Sequence, residues 1–161
     1  MADEASGNSF QLELRRTFPT AREPVYDAWT RREALERWMC HEADIATVRY
    51  LDLDVRPGGG FRLEVTRYEE HYLVFGAFRE LKSPEQLVFT WAWERTQPNP
   101  GDSTSDGETV VTVDLVNRDD ATEVRLTQGV YPTAKRRDDD LYGWETAFAA
   151  LKRYLEPEPP H

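Results

Sequence analysis

The sequence predicts an α+β domain in which a curved antiparallel sheet of about six or seven strands wraps around a long C-terminal helix. Three observations predict this fold. Segments of alternating apolar and polar residues follow one another, and short turns join them, which is typical of antiparallel strands. Two short segments with helical periodicity come directly after the first strand. The last segment carries one unbroken apolar stripe at helical spacing, so it must pack on an apolar surface.

The strands are predicted from this alternation. The strand at 86–94 has the clearest pattern, and the residues on its apolar face are Leu87, Phe89, Trp91 and Trp93. The strand at 72–81 alternates weakly, so it is predicted to be covered on both faces or bulged near Gly76. The predicted strands span residues 10–18, 46–55, 61–68, 72–81, 86–94, 109–116 and 122–130.

The helices are predicted from caps and periodicity. Thr20 and Thr30 each precede a Glu by three residues, and this capping-box spacing predicts two short helices that start there. The final helix is predicted over residues 138–155. Three aspartates, Asp138, Asp139 and Asp140, stand at its predicted N-terminus, where the helix dipole favours anions. Its apolar stripe consists of Leu141, Trp144, Phe148, Leu151 and Leu155.

The composition fits one domain. The chain has 161 residues, an ordinary domain size. Residues 1–9 are expected to be a disordered N-terminus, residues 10–155 a single domain, and residues 156–161 a disordered, Pro-rich tail. Aromatic residues make up 12% of the chain, which suits a packed core or an apolar cavity equally well.

Charge, apolar run length and cysteine content disfavour several classes of partner and cell compartment. The formal net charge is −10, which disfavours nucleic acid and anionic membrane surfaces. The longest apolar runs fall far short of the ~20 residues that a membrane helix needs, so membrane insertion is not expected. The only cysteine, Cys40, cannot form an intrachain disulfide, which favours a reducing compartment. The N-terminus lacks the apolar core of a signal peptide, so the protein is expected in the cytoplasm.

Several short motifs occur in a recognisable order along the chain. They are Val25-Tyr26-Asp27-Ala28-Trp29, Leu35-Glu36-Arg37-Trp38, Asp54-Val55-Arg56-Pro57-Gly58-Gly59, Gly76 with Leu87-Val88-Phe89-Thr90-Trp91, and Gly143-Trp144. In this order they resemble the START-like superfamily, also called the Bet v 1 or helix-grip fold. Within it, the chain is similar to the subfamily named after the activator of the heat shock protein 90 ATPase. The resemblance spans about residues 10–155, and it implies a helix-grip fold without implying one activity.

A pocket is predicted between the sheet and the final helix. A sheet curved around one helix leaves more space than short side chains fill, and both surfaces are aromatic. Gly143 beside Trp144 suggests close backbone contact or room for a ligand, because glycine costs about 1 kcal/mol in a helix. Arg56 and His71 are candidate polar groups at this pocket. The predicted ligand-binding residues are Trp38, Phe61, Leu63, Phe75, Phe89, Trp91, Val113, Tyr131, Trp144 and Phe148.

Catalytic, metal and cofactor motifs are weaker. Gly58-Gly59-Gly60 lacks the spacing of a phosphate loop, and Pro57-Gly58 predicts a type II turn instead. Cys40-His41 is too small a set for a zinc site. Asp52 and Asp54 share one strand face, where they could do acid–base work or lie solvated, with Asp54 pairing with Arg56. We therefore predict no catalytic residues, no metal and no cofactor.

The leading hypothesis is a non-enzymatic protein that binds a small apolar or amphipathic molecule in this pocket. The first alternative is a protein-interaction module of co-chaperone type, as the resembled subfamily implies. The second is a cyclase- or hydrolase-like enzyme that uses the same pocket, as the wider superfamily implies. Ligand identity and oligomeric state are left open by the sequence.

Overall fold

The computed structural model describes residues 10–39, 46–67, 70–95 and 108–156. The predictions for residues 1–9, for Cys40-His41 and for the tail from residue 157 lie outside these ranges. The described residues form seven strands and three helices. In chain order these are β1 Phe10–Phe18, α1 Arg22–Thr30, α2 Arg32–Trp38, β2 Ala46–Leu53, β3 Gly60–Arg67, β4 Glu70–Lys82, β5 Gln86–Arg95, β6 Thr109–Arg118, β7 Ala121–Tyr131 and α3 Ala134–Leu155.

The strands form one antiparallel sheet in the order β1-β7-β6-β5-β4-β3-β2. Strands that are neighbours in sequence are also neighbours in the sheet from β2 to β7, and β1 closes the order beside β7. Helix α3 packs mainly on β1 and on the short helix α2. The predicted fold class, a curved antiparallel sheet with a long C-terminal helix, is therefore confirmed.

The core lies between the inner face of the sheet and the helices. The register places Phe89 of β5 opposite Phe78 of β4 on one side and Val111 of β6 on the other. Helix α3 adds Trp144 and Phe148 to this layer, both buried. Because alternate residues of a strand lie on the same face, the alternating pattern places the large apolar side chains on the inner face of the sheet.

Both predicted capping boxes are wrong in the described structure. Helix α1 follows Ala21 and helix α2 follows Arg31, and neither of these residues caps its helix with a side-chain hydrogen bond. Thr30, the predicted second cap, ends α1 instead and donates its hydroxyl to the Tyr26 carbonyl at 3.0 Å. A hydroxyl that bonds back to the preceding turn is the usual alternative for threonine inside a helix.

Helix α3 starts four residues before its predicted position. Thr133 is the N-cap, and its hydroxyl accepts a 3.1 Å hydrogen bond from the Arg136 backbone N–H. The predicted aspartates therefore lie beyond the first turn. Asp139 pairs with Lys135 at 3.0 Å, four residues earlier, so ion pairs within the helix take the place of the predicted dipole interaction.

The type II turn at Pro57-Gly58 is confirmed. Gly58 has a φ of 86°, which this turn demands at its third position. The Gly59 N–H closes the turn by donating to the Arg56 carbonyl at 2.8 Å.

The weakly alternating strand, β4, has a defined inner face. Val74 and Phe78 point inward and are buried, whereas Phe75 lies beside Arg62 and Ala92 on the opposite face. The pairing with β5 shifts by one residue after Phe78, so the bulge lies there and not at Gly76. Gly76 serves close packing, because a Cβ there would overlap the Thr90 carbonyl oxygen and the Phe61 ring.

Candidate ligand-binding site

The inner face of the sheet carries a layer of contacting aromatic rings. The Trp91 ring lies 5.5 Å from the Trp144 ring and 6.0 Å from the Phe61 ring, measured between centroids. Trp29 of α1 stacks on Trp144 at 6.0 Å with an interplanar angle of 29°. These distances are typical of favourable aromatic pairs. The rings in the middle of the layer therefore contact one another from the sheet to the helices.

A chain of hydrogen bonds crosses this apolar layer. The Gln128 side chain, which is 1% exposed, accepts a 2.7 Å bond from the Trp144 indole N–H. Its amide donates to the Thr109 hydroxyl at 2.7 Å. That hydroxyl donates to the Trp91 carbonyl at 3.2 Å. A buried amide would cost free energy unless it were bonded in this way, so the chain fixes Trp144 relative to β5 and β6.

One end of the aromatic face remains half-buried. Along β5, Leu87 and Phe89 are fully covered, whereas Trp91 and Trp93 are only partly covered. Tyr72 of β4 packs its ring edge-on against Trp93 with centroids 5.8 Å apart. We call Tyr72, Trp91 and Trp93 the aromatic rim.

The first two turns of α3 lie against this rim. The Arg136 guanidinium carbon is 4.7 Å from the Trp93 ring centroid, a cation–π distance. Arg136 also pairs with Asp140 at 3.2 Å. Asp140 in turn accepts a 2.9 Å hydrogen bond from the Tyr131 hydroxyl. The helix thus presents a paired cation and anion beside the tryptophan ring.

The pKa of Tyr131 is raised well above its ordinary value. Burial is the main cause, because it disfavours the charged phenolate. The Asp140 carboxylate adds to the shift, since its negative charge disfavours a phenolate and it accepts a hydrogen bond from the neutral phenol. Tyr131 is therefore a neutral hydrogen-bond donor across the physiological pH range.

Two buried indole N–H groups have no hydrogen-bond partner among the described residues, those of Trp29 and Trp93. Trp29 is 2% exposed and lies inside the closed layer, against Trp38 and Trp144. Trp93 belongs to the half-buried rim. An unsatisfied buried donor is uncommon and calls for an explanation, and only the second one belongs to a residue that is itself partly exposed.

The predicted site residues fall into three groups. Phe75 lies on the outer face of the sheet, as described above, and so does His71, which is exposed and 3.2 Å from the Thr66 hydroxyl. Arg56 is exposed and pairs with Asp54 at 2.8 Å. The remaining predicted residues lie in or against the inner layer: Trp38, Phe61, Leu63, Phe89, Trp91, Val113, Tyr131, Trp144 and Phe148.

Several residues of the candidate site were not predicted from the sequence. Gln128 carried a signal, because it occupies an apolar position in the alternating pattern of Val124 and Leu126. A polar residue in such a register position is typical of an internal hydrogen bond. For Arg136 and Asp140 the sequence contained no such signal, since their role depends on where α3 lies relative to β5.

The structure adds nothing in favour of catalysis by the paired aspartates. Asp52 pairs with Arg62 at 2.6 Å and Asp54 pairs with Arg56, and all four side chains are well exposed. Among the described residues, no group of three or more His, Cys, Asp or Glu side chains could hold a metal ion.

Comparison with known proteins identifies the family. The family model described as "Activator of Hsp90 ATPase homolog 1-like protein" matches residues 19–156. The chain belongs to this family. No curated protein matches the chain. No helix in the described ranges is long and apolar enough to cross a membrane.

Solved structures of similar proteins share the fold of this chain. A protein from Chromobacterium violaceum has a TM-score of 0.78 at 21% identity, covering 92% of this chain and 98% of its own. The AHSA1 protein from Silicibacter pomeroyi has a TM-score of 0.75 at 21% identity, with coverages of 91% and 97%. CalU16 from Micromonospora echinospora has a TM-score of 0.63 at 19% identity, with coverages of 91% and 76%.

Proposed function

We propose that this protein binds a small apolar or amphipathic molecule at the aromatic rim, between β5 and the start of α3. The observation that carries the proposal is the change in burial along β5. Its inner face passes from covered Leu87 and Phe89 to half-buried Trp91 and Trp93. Large aromatic surfaces left partly open beside a few polar groups are typical of ligand sites.

The middle of the aromatic layer supports the proposal, because it forms an ordered floor beneath the proposed site. Phe61, Trp91 and Trp144 contact one another, and Gln128 fixes the Trp144 indole. A floor that is ordered before binding reduces the entropy lost when a ligand docks. The proposed lining consists of Tyr72, Trp91, Trp93, Tyr131 and Arg136. Phe75, Arg56 and His71 are left out because they lie elsewhere.

The test is a titration of the whole chain with N-phenyl-naphthylamine, a neutral apolar dye that fluoresces in apolar sites. We expect saturable binding of one equivalent. Trp93→Ala should weaken it by about tenfold or more, because the probe loses roughly 1.5 kcal/mol or more of apolar contact. Tyr142→Ala is the matched control, since this aromatic residue of α3 is 58% exposed and should leave binding unchanged.

Two results would contradict the proposal. One is the absence of saturable binding by protein whose circular dichroism shows it to be folded. The other is equal loss of affinity in the Trp93→Ala and Tyr142→Ala variants. Native mass spectrometry of the purified protein would add evidence independent of any probe, since a persistent extra mass would reveal a captured molecule.

A co-chaperone-like role is the alternative, and the family description favours it. A co-chaperone-like role predicts that the chain changes the rate of ATP hydrolysis by an Hsp90-type chaperone from the same cell. An unchanged rate at saturating protein would count against this alternative without affecting the ligand-binding proposal.

A further inference from the structure

The Trp93 indole N–H is the starting point, because it is buried and has no hydrogen-bond partner in the described structure. Leaving such a donor unsatisfied costs free energy comparable to a lost hydrogen bond. The Trp93 ring is held in place by two contacts, with the Arg136 guanidinium carbon 4.7 Å and the Tyr72 ring centroid 5.8 Å from its own centroid. The donor is therefore fixed in position and in need of an acceptor.

The charge at the rim restricts what that acceptor can be. Arg136 is already paired with Asp140 at 3.2 Å, and these side chains are only 25% and 16% exposed. Asp140 is further engaged by the Tyr131 hydroxyl. The charges of Arg136 and Asp140 offset each other beside Trp93. An anionic ligand would therefore gain no net electrostatic attraction there and would still lose its hydration. The net charge of −10 on the chain opposes it as well.

We infer that the ligand bound at the aromatic rim carries a neutral carbonyl oxygen that accepts a hydrogen bond from the Trp93 indole N–H. This inference rests on the proposed function and names its ligand class, an apolar ketone, ester or amide. The apolar body lies against Trp91 and Tyr72, and the carbonyl meets the Trp93 N–H, the rim donor that is both buried and without a partner in the described structure. A carboxylic acid of the same shape binds less well, because its charge must be desolvated beside Asp140.

The test compares three fluorescent naphthalenes with the whole chain. Prodan is a neutral dimethylaminonaphthalene that carries a propionyl ketone. The second probe is the same ring system without the propionyl group, and the third carries a carboxylate in its place. We expect the ketone to bind most tightly and the carboxylate most weakly.

The Trp93→Phe variant isolates the hydrogen bond, because it removes the N–H and keeps an aromatic ring. We expect this variant to weaken prodan by about fivefold to tenfold relative to wild type, as the loss of one hydrogen bond predicts. Binding of the probe without a carbonyl should change by much less. Trp91→Phe is the matched control on the same strand face. It also removes an indole N–H, but not the buried, unpartnered one, so it should weaken all three probes alike.

A third variant tests the electrostatic step. Asp140→Asn removes the negative charge that pairs with Arg136 and keeps an oxygen that can accept from the Tyr131 hydroxyl. We expect the carboxylate probe to gain at least about threefold in affinity, and prodan to change little.

The outcomes separate this inference from the proposed function. If none of the probes binds, the proposed function fails and the inference fails with it. If the probes bind but Trp93→Phe weakens all three alike, or if the carboxylate binds most tightly to wild type, the site stands and the carbonyl inference is overturned.

Discussion

The Trp144 indole N–H donates a 2.7 Å hydrogen bond to the side-chain carbonyl of Gln128. The two residues lie on α3 and β7, and both are buried. Since the amide of Gln128 also donates to Thr109, this one side chain links the helix to two strands. Its contribution should therefore be visible in stability.

We predict that Gln128→Leu lowers the free energy of unfolding by about 1–3 kcal/mol, because the Trp144 N–H loses its acceptor inside an apolar layer. Urea denaturation would measure the change. In the double variant with Trp144→Phe no orphan donor remains, so the combined loss should be smaller than the sum of the single losses. Strict additivity would show that the hydrogen bond does not couple these residues.

A substitution at Gly143 is predicted to raise the free energy of unfolding, in contrast to Gln128→Leu. The sequence suggested close backbone contact or ligand space at this position, but the residue is exposed and a Cβ there would meet no atom within 4 Å among the described neighbours. Gly143→Ala should therefore raise the free energy of unfolding by about 1 kcal/mol through helix propensity alone. A thermal melt of both proteins would check it, and a lower melting temperature would contradict it.

Gly76 provides the contrasting case. A Cβ at this position would overlap the Thr90 carbonyl oxygen, which is backbone, and the end of the Phe61 ring. Gly76→Ala should thus destabilise the protein by about 1–3 kcal/mol, as overpacking of a core does. The same melt used for Gly143→Ala measures it. An unchanged melting temperature would mean that β4 and β5 can separate locally at little cost.

The fold was predictable because its signals are local. Alternation along 86–94 and the apolar stripe of the last helix each follow from one segment of the chain, and both predict which face is buried. The capping boxes failed because Thr30 had two partners available, a following backbone N–H and the preceding carbonyl of Tyr26, and residue spacing does not decide between them.

The candidate site was only partly predictable. Trp91 and Trp93 share a face with Phe89 because of strand periodicity alone. The pairing of Arg136 with the Trp93 ring depends on how α3 lies on the sheet, which no local pattern encodes. Phe75 was predicted to bind ligand but lies on the outer face of the sheet. The strand that contains it alternates weakly, so the sequence does not indicate which face its side chain occupies.

The Tyr131 hydroxyl supplies a test at alkaline pH. Burial and the Asp140 carboxylate raise its pKa in the folded protein, whereas in the unfolded chain the pKa returns to about 10. A group whose pKa is raised on folding contributes stability that is fully present below its unfolded pKa and is lost as the pH rises above it. Tyr131 therefore favours unfolding above about pH 10.

We predict that the free energy of unfolding of the wild type falls more steeply than that of Tyr131→Phe between about pH 9 and pH 11. Urea denaturation across this range would measure both curves. At neutral pH the variant should lose about 0.5–1.5 kcal/mol, because Asp140 loses one hydrogen bond. Tyr142→Phe is the control and should follow the wild-type curve, since its ring is largely exposed. Parallel curves for wild type and Tyr131→Phe would contradict the prediction, because they would mean that the Tyr131 hydroxyl ionises with equal ease in the folded and unfolded states.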